Sequence, residues 1–277
     1  MNRGIAAHPR ACLAIALGAL SVTPGCDVEH GPLRFDGRPV AAWVAELADP
    51  GRDPLPALEA VGQLAAESGL ADLEETDTES ADLIRGRATS KDSARISGKA
   101  TAVDRSDLQT IRPRLVMLAR DPRDEVRRRA LCNLAAIGTV PGPEEEVLRA
   151  AIEEATVPIR ACALLATARF QGASATLAEA AALAAGDASF RIRSSALMAL
   201  GSVSGGDDRY LDVFATALDD PSVVIRKVAA DTIAEDLRRS AGPLATKLRE
   251  RLATAEHEFE ADAMRRAIDA VAPEAAP

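Results

Sequence analysis

The chain has 277 residues, 47 % hydrophobic but only 3 % aromatic, and a net charge of −9, with a pI near 5.0. That length suits one or two ordinary domains or one elongated repeat array, with enough apolar content for a substantial core. Abundant alanine and the lack of Val/Ile/Thr/aromatic runs favour helices over strands. The acidic balance weighs against a nucleic-acid-binding domain, which shows a basic face and a high pI. The histidines are His8, His30 and His257, and the cysteines Cys12, Cys26, Cys132 and Cys162 contain no C-x-x-C pair. A zinc or histidine-based catalytic centre and a disulfide framework are therefore not expected.

The first segment, "MNRGIAAHPRACLAIALGALSVTPGC", has Arg3 and Arg10 ahead of an apolar run over 11–20. That run is too short to span a bilayer as a helix but suits the hydrophobic region of an export signal. Gly25 directly before Cys26 is similar to a bacterial lipoprotein signal, whose cysteine is lipidated and becomes the mature N-terminus. Thr23 and Pro24 depart from that family's usual box. The alternative is a plain signal peptide with an incidental cysteine. On either reading residues 1–25 stand outside the fold, and 26–37 form an N-terminal linker. The resemblance implies export, lipidation at Cys26 and attachment to the membrane on the periplasmic side of the cell envelope.

"RPVAAWVAELADPGRDPLPALEAVGQLA", 38–65, carries the pattern of an opening helix pair, with Trp43 as its core anchor. A polar insert follows over 67–105. Its first half holds the acids Asp72, Glu74, Glu75, Asp77, Glu79 and Asp82, and its second half the bases Arg85, Arg87, Lys91, Arg95 and Lys99. Such a stretch buries too little apolar area to offset chain ordering, so a flexible loop is expected. It lacks the glycine and terminal glutamate of a calcium loop and the first glycine of a phosphate-binding loop. Ser106 and Gln109 have capping-box spacing and predict that helix resumes there.

A repeat then governs the chain. Arg127, Arg160, Arg193 and Arg226 stand 33 residues apart. Each follows Val or Ile (Val126, Ile159, Ile192, Ile225), and an acid stands six positions earlier: Asp121, Glu154, Asp187 and Asp220. Three positions after each arginine stands Ala130, Ala163, Ala196 or Ala229. Apolar residues at −1, +3, +4 and +7 from the arginine mark one face of a second helix in each unit. First helices carry the rows Leu115, Leu148, Ala181, Phe214 and Leu118, Ala151, Ala184, Ala217. Gly138, Gly172 and Gly205 fall where helix ends are expected.

"LVMLARDPRDEVRRRALCNLAAIG", 115–138, and "FATALDDPSVVIRKVAADTIAEDL", 214–237, resemble HEAT repeats, including the bacterial lyase-like subtype. With the opening unit and a closing one at 242–272, the resemblance covers about six units. It implies an all-α, right-handed α-solenoid of helical hairpins over 38–272, with the insert after the first hairpin and a tail at 273–277. It also implies that Asp121, Arg127, Glu154, Arg160, Asp187, Arg193, Asp220 and Arg226 form a structural ladder along the stack. Such solenoids host many functions.

In HEAT arrays the second helices line the concave side. The face opposite the core then presents Arg128, Arg129, Cys162, Leu165, Arg169, Ser195 and Met198 as a candidate protein-binding surface. Strong curvature would instead bury its apolar members inside the array. Cys132 and Cys162 lie on neighbouring helices, either as small buried hydrophobes or as a bridge in an exported protein. The positions equivalent to Arg128 and Arg129 read Ala161 and Cys162, Ser194 and Ser195, then Lys227 and Val228, so no basic stripe continues, which marks a solvated charged face. The leading functional expectation is a non-catalytic scaffold or adaptor for an unidentified protein, with no cofactor, metal, small-molecule substrate or nucleic acid. The rivals are a bilin-lyase-like protein acting on a pigment-bearing partner and a nucleic-acid-binding HEAT-like protein.

Overall fold

The computed structural model describes residues 31–67, 96–97, 102–154 and 156–271. Residues 1–25, read as an export signal, together with Cys26, most of the insert and the tail, lie outside the described residues. The elements run β1 (Arg34–Phe35), β2 (Arg38–Pro39), α1 (Val40–Ala48), α2 (Leu55–Glu67), β3 (Ile96–Ser97), α3 (Ala102–Thr110), α4 (Arg112–Leu118) and α5 (Asp124–Ile137). Then follow α6 (Pro143–Ile152), α7 (Val157–Ala168), α8 (Ala175–Ala184), α9 (Phe190–Ser204), α10 (Leu211–Ala217), α11 (Val223–Thr232), α12 (Ala245–Thr254) and α13 (Glu258–Val271). A π-helical turn, Ile233–Leu237, and a 3-10 stretch, Arg238–Leu244, join α11 to α12.

The helices pair as α1/α2, α4/α5, α6/α7, α8/α9, α10/α11 and α12/α13, and each second helix packs on the next: α2 on α5, α5 on α7, α7 on α9, α9 on α11, α11 on α13. The result is an all-α solenoid. Its core is one continuous apolar cluster that runs through every pair, from Leu33 to Val271. The second-helix rows read from the sequence sit at its centre: Val126, Ala130, Leu131 and Leu134, then Ile159, Ala163 and Leu164, then Ile192, Ala196, Leu197 and Leu200, are all fully or almost fully buried. Burying one Leu or Ile side chain in this way contributes about 1.5–3 kcal/mol.

Local chemistry ends the helices where the pattern stops. Gly205 caps α9 in the left-handed conformation, φ 62°, which costs a residue with a Cβ more than it costs glycine. Gly172 stands beyond the end of α7, whose C-cap is Arg169. Ser174 opens α8 by accepting the Leu177 N–H at 3.2 Å and donates its hydroxyl to Glu145 of α6 at 2.5 Å. One side chain thereby caps a helix and ties two first helices together.

Three boundaries differ from the sequence reading. Residues 31–37, read as linker, belong to the cap: Leu33 and Phe35 are buried, and β1 pairs antiparallel with β2 across Asp36-Gly37. Both turn residues have positive φ, 50° and 71°, the conformation of a tight hairpin turn. The driving contact is Trp43, whose indole N–H donates to the Phe35 carbonyl at 3.1 Å while Arg38 lies 3.8 Å over its ring. Second, the insert returns before 105. Ile96–Ser97 adds a strand to β1, and α3 begins at Ala102. Third, Ser106 therefore lies inside α3 and caps nothing. Its supposed partner Gln109 instead donates to the Ile137 carbonyl at 3.2 Å and accepts from Arg112 at 2.6 Å.

Candidate interaction surface and the charged ladder

The four repeat arginines bridge between units. Arg127 donates to Glu154 at 2.5 Å, Arg160 to Asp187 at 2.8 Å and Arg193 to Asp220 at 2.9 Å, each 27 residues on. Arg193 is bidentate, with a second bond to Asp220 at 3.2 Å. The acid six residues before each arginine plays a different part, because its backbone carbonyl takes the arginine. Arg127 donates to Asp121 O, Arg193 to Asp187 O and Arg226 to Asp220 O, at 2.9, 3.0 and 2.9 Å. In the unit of Arg160 the carbonyl is that of Ile152, at 3.0 Å. Each guanidinium thus clamps its own turn by the main chain and the next turn by the side chain.

These side chains are only 17–20 % exposed, so water screens them less than a surface pair. Glu154 reinforces the protonated state of Arg127. The Ser189 N–H, and after it Arg160, hold the Asp187 carboxyl below the usual carboxylate range. Asp121, first in the row, has no preceding rung. Its carboxylate binds the side chain and backbone N–H of Arg123 instead, which lowers its pKa.

The last rung departs from the pattern. Ala253 stands where an acid would be expected. Glu260 of α13 takes Arg226 in a bidentate pair at 2.5 and 3.1 Å. A polar cleft of about 410 Å³ lies beside this rung, lined in part by Arg251, Thr254 and His257. Arg251 is already bound to Asp219, so the charges around the cleft are largely paired.

Most of the candidate binding face lies inside the fold. Cys162 and Ser195 are fully buried, Leu165 is 1 % exposed, and Met198 is half-buried against the core. The cause is the small side chains at the +1 and +2 positions. Ala161, Cys162, Ser194 and Ser195 let α7 approach α5 and α9 closely, so the face opposite the hairpin core is covered by neighbouring second helices. Cys132 and Cys162 meet there, 5.1 Å apart at Cα, and are joined by a disulfide. Arg169 lies half-buried at the C-terminal end of α7, where its carbonyl accepts the Thr139 N–H at 3.1 Å.

Arg128 and Arg129 face solvent in part, yet Arg128 forks onto Glu125 and Arg129 donates to it through Nε, the shortest bond 2.7 Å in each case. Their charge is partly cancelled on the helix itself, and Glu125 is held ionised, chiefly by Arg128. Arg128 borders a cleft of about 340 Å³ between the starts of α5 and α7, floored by Pro158 and Ile159.

Several buried polar groups went unread in the sequence, Glu144 and Asp231 among them. Glu144 is 4 % exposed; it accepts the Val140 N–H at 2.8 Å and Arg112 at 3.2 Å. Arg112 also donates to the carbonyls of Ile137 and Gly138, satisfying the C-terminal end of α5. Asp231 binds Lys227 at 2.6 Å and Arg266 at 2.7 Å. A search for acid–base pairs about one repeat apart would have found Arg112 with Glu144. Among the described residues no group of three or more His, Cys, Asp or Glu is placed to hold a metal ion, and no helix is long and apolar enough to cross a membrane.

This architecture is that of the armadillo and HEAT-like repeat solenoids. A designed armadillo repeat protein solved in complex with peptide (KR)4 is 16 % identical, covering 84 % of this chain and 99 % of its own, with a TM-score of 0.53. A computationally designed armadillo repeat protein for modular peptide recognition is 17 % identical over 83 % of this chain and 99 % of its own, TM-score 0.52. The archaeal HEAT-like repeats protein from Thermococcus onnurineus NA1 is 11 % identical over 84 % of this chain and 86 % of its own, TM-score 0.52. At these identities the likeness establishes the fold. No protein-family model and no curated protein matches the chain.

Proposed function

We propose that this protein is a non-catalytic scaffold or adaptor that binds another protein through the surface of its repeat array. We further propose that it is exported and held at the cell envelope by a lipid on Cys26. The observation that carries the scaffold reading is how its polar chemistry is used. Every ladder arginine is bound to an acid of a neighbouring unit, and Arg128 and Arg129 are bound to Glu125. These groups hold the array in register and leave a regular helical surface as what the molecule offers. Solved repeat proteins of the same fold include a peptide complex, which favours a polypeptide ligand.

The Cys132–Cys162 disulfide supports the exported reading, because such bonds persist in oxidising compartments and are rare in the cytosol. Affinity capture with the mature chain from crosslinked envelope extracts should return a stoichiometric partner protein. A measurable chemical turnover by the purified chain would overturn the non-catalytic reading. Metabolic palmitate labelling should mark the wild type and not Cys26→Ser; a labelled Cys26→Ser protein refutes the anchor.

A further inference from the structure

We propose that the outer surface built by the first helices is a docking site for a basic amphipathic helix of the partner protein. This rests on the scaffold reading above and names the surface and the chemistry of what it takes. The two most exposed large apolar side chains among the described residues are Leu183, 83 %, and Met117, 61 %. They are not scattered. Met117, Ala150, Leu183 and Thr216 occupy one register of the 33-residue repeat, on α4, α6, α8 and α10, and all four are exposed.

One helical turn earlier stand Pro113, Glu146, Glu179 and Asp212, exposed as well. Residues four apart share a helix face, so two parallel rows cross the first helices. One row is uncharged, with two large knobs separated by small residues. The other carries three carboxylates. Glu146 meets Arg120 at 3.2 Å, whereas Glu179 and Asp212 form no ion pair among the described residues. On the opposite flank each carboxylate is paired, Glu153 with Arg149 and Asp219 with both Lys247 and Arg251, which leaves one cation in excess there. The carboxylates left without an ion pair beside the apolar row are therefore those of Glu179, which still feels the charge of Arg209, and Asp212.

Packed helices lie about 8–10 Å apart, and a helix advances about 10.5 Å per heptad. A partner helix laid across α4, α6, α8 and α10 would place one apolar residue over each unit. Lys or Arg on one of its flanks would then face Glu146, Glu179 and Asp212. The same carboxylates repel anionic lipid headgroups, so a membrane surface fits this face poorly. From Ala161 to Thr167 the second helix α7 is buried between α5 and α9 and offers no competing face there.

The test uses the mature chain and a fluorescein-labelled Leu/Lys peptide patterned over four heptads, read by anisotropy. Saturable binding is expected, weakened roughly tenfold by Leu183→Asp and several-fold by Glu179→Lys or Asp212→Lys. The losses in the two charge variants should shrink as salt rises. Asp269→Lys, the same charge change on an exposed position of α13, should bind as wild type. Leu183 is exposed, so its variant should melt as wild type, which separates lost binding from lost folding. Unchanged peptide affinity in Leu183→Asp, or an equal loss in Asp269→Lys, overturns the proposal. Leu183-dependent binding to phosphatidylglycerol vesicles would also overturn it, by assigning the stripe to a membrane. A captured partner that Leu183→Asp retains would sink this surface and leave the scaffold reading standing.

Discussion

Helices α7 and α8 come from adjacent halves of the same repeat pattern and meet opposite fates. In α7 every residue from Ala161 to Thr167 is buried, whereas α8 exposes Ala175, Thr176, Glu179 and Leu183 and buries only one face. The exposed helix α8 is if anything the richer in small residues, so small-residue content does not explain which helix is buried. What separates them is the number of neighbours: α7 packs on α6, α5 and α9. Ala161 and Cys162 at its outer positions, with Ser194 and Ser195 on α9, permit that approach. A helix can therefore be apolar on a second face because it is enclosed, and apolar residues there are no sign of a binding surface.

Two leucines make the sharpest test of this contrast. Leu165, which sequence periodicity placed on the candidate binding face, is 1 % exposed, and Leu183 is 83 % exposed. Leu165→Ala is expected to destabilise by about 2–5 kcal/mol, and Leu183→Ala to stay within about 0.5 kcal/mol of wild type. Chemical denaturation of both variants measures the difference, and equal midpoints would break the distinction between the helix rows. Next in size is the bond within the enclosed row. Replacing both Cys132 and Cys162 by Ser should cost about 2–4 kcal/mol. In denaturant, maleimide should label Cys132 and Cys162, as read by peptide mapping, only after reduction. Labelling without reductant would remove the disulfide from the account.

The repeat was legible because it is written in residues whose role is local and periodic. Val126, Ile159, Ile192 and Ile225 announce one helix face wherever they recur, and the structure buries all four. The ladder acids were legible by position but not by partner. A spacing of six residues suggested a mate within the turn, yet the side chain of Asp187 belongs to Arg160 and only its carbonyl to Arg193. Spacing along one chain cannot show how far one unit is rotated over the next. The N-terminal cap was missed because strands of two residues carry no periodicity. Its one signal, Asp36-Gly37 between Phe35 and Arg38, is the dipeptide of a tight hairpin. The enclosed face was misread for a related reason: +1 and +2 are outward on an isolated hairpin and become inward only when a neighbour is small enough to close over them.

The ladder links the units at the start of the second helices, and its expected effects are smaller. Arg193→Ala should destabilise by about 1–2 kcal/mol, between the value of a surface pair and that of a buried charged hydrogen bond. It should leave partner capture intact at temperatures where the variant is folded. Loss of capture without loss of stability would turn the ladder into a binding site.

The smallest effect is on pH dependence. The folded state holds the Asp187 carboxyl below its ordinary range, so the unfolded chain takes up this proton first as pH falls. The stabilisation is complete above about pH 4, the range of a free aspartate, and is lost as pH drops through the lower folded value. Asp187→Asn keeps an acceptor for the Ser189 N–H but removes the charge facing Arg160. Its melting temperature should lie below wild type at pH 7, and the gap should close on acidification below about pH 4. A gap constant from pH 7 to pH 3 would mean that the rung between the units of Arg160 and Arg193 is held by shape alone.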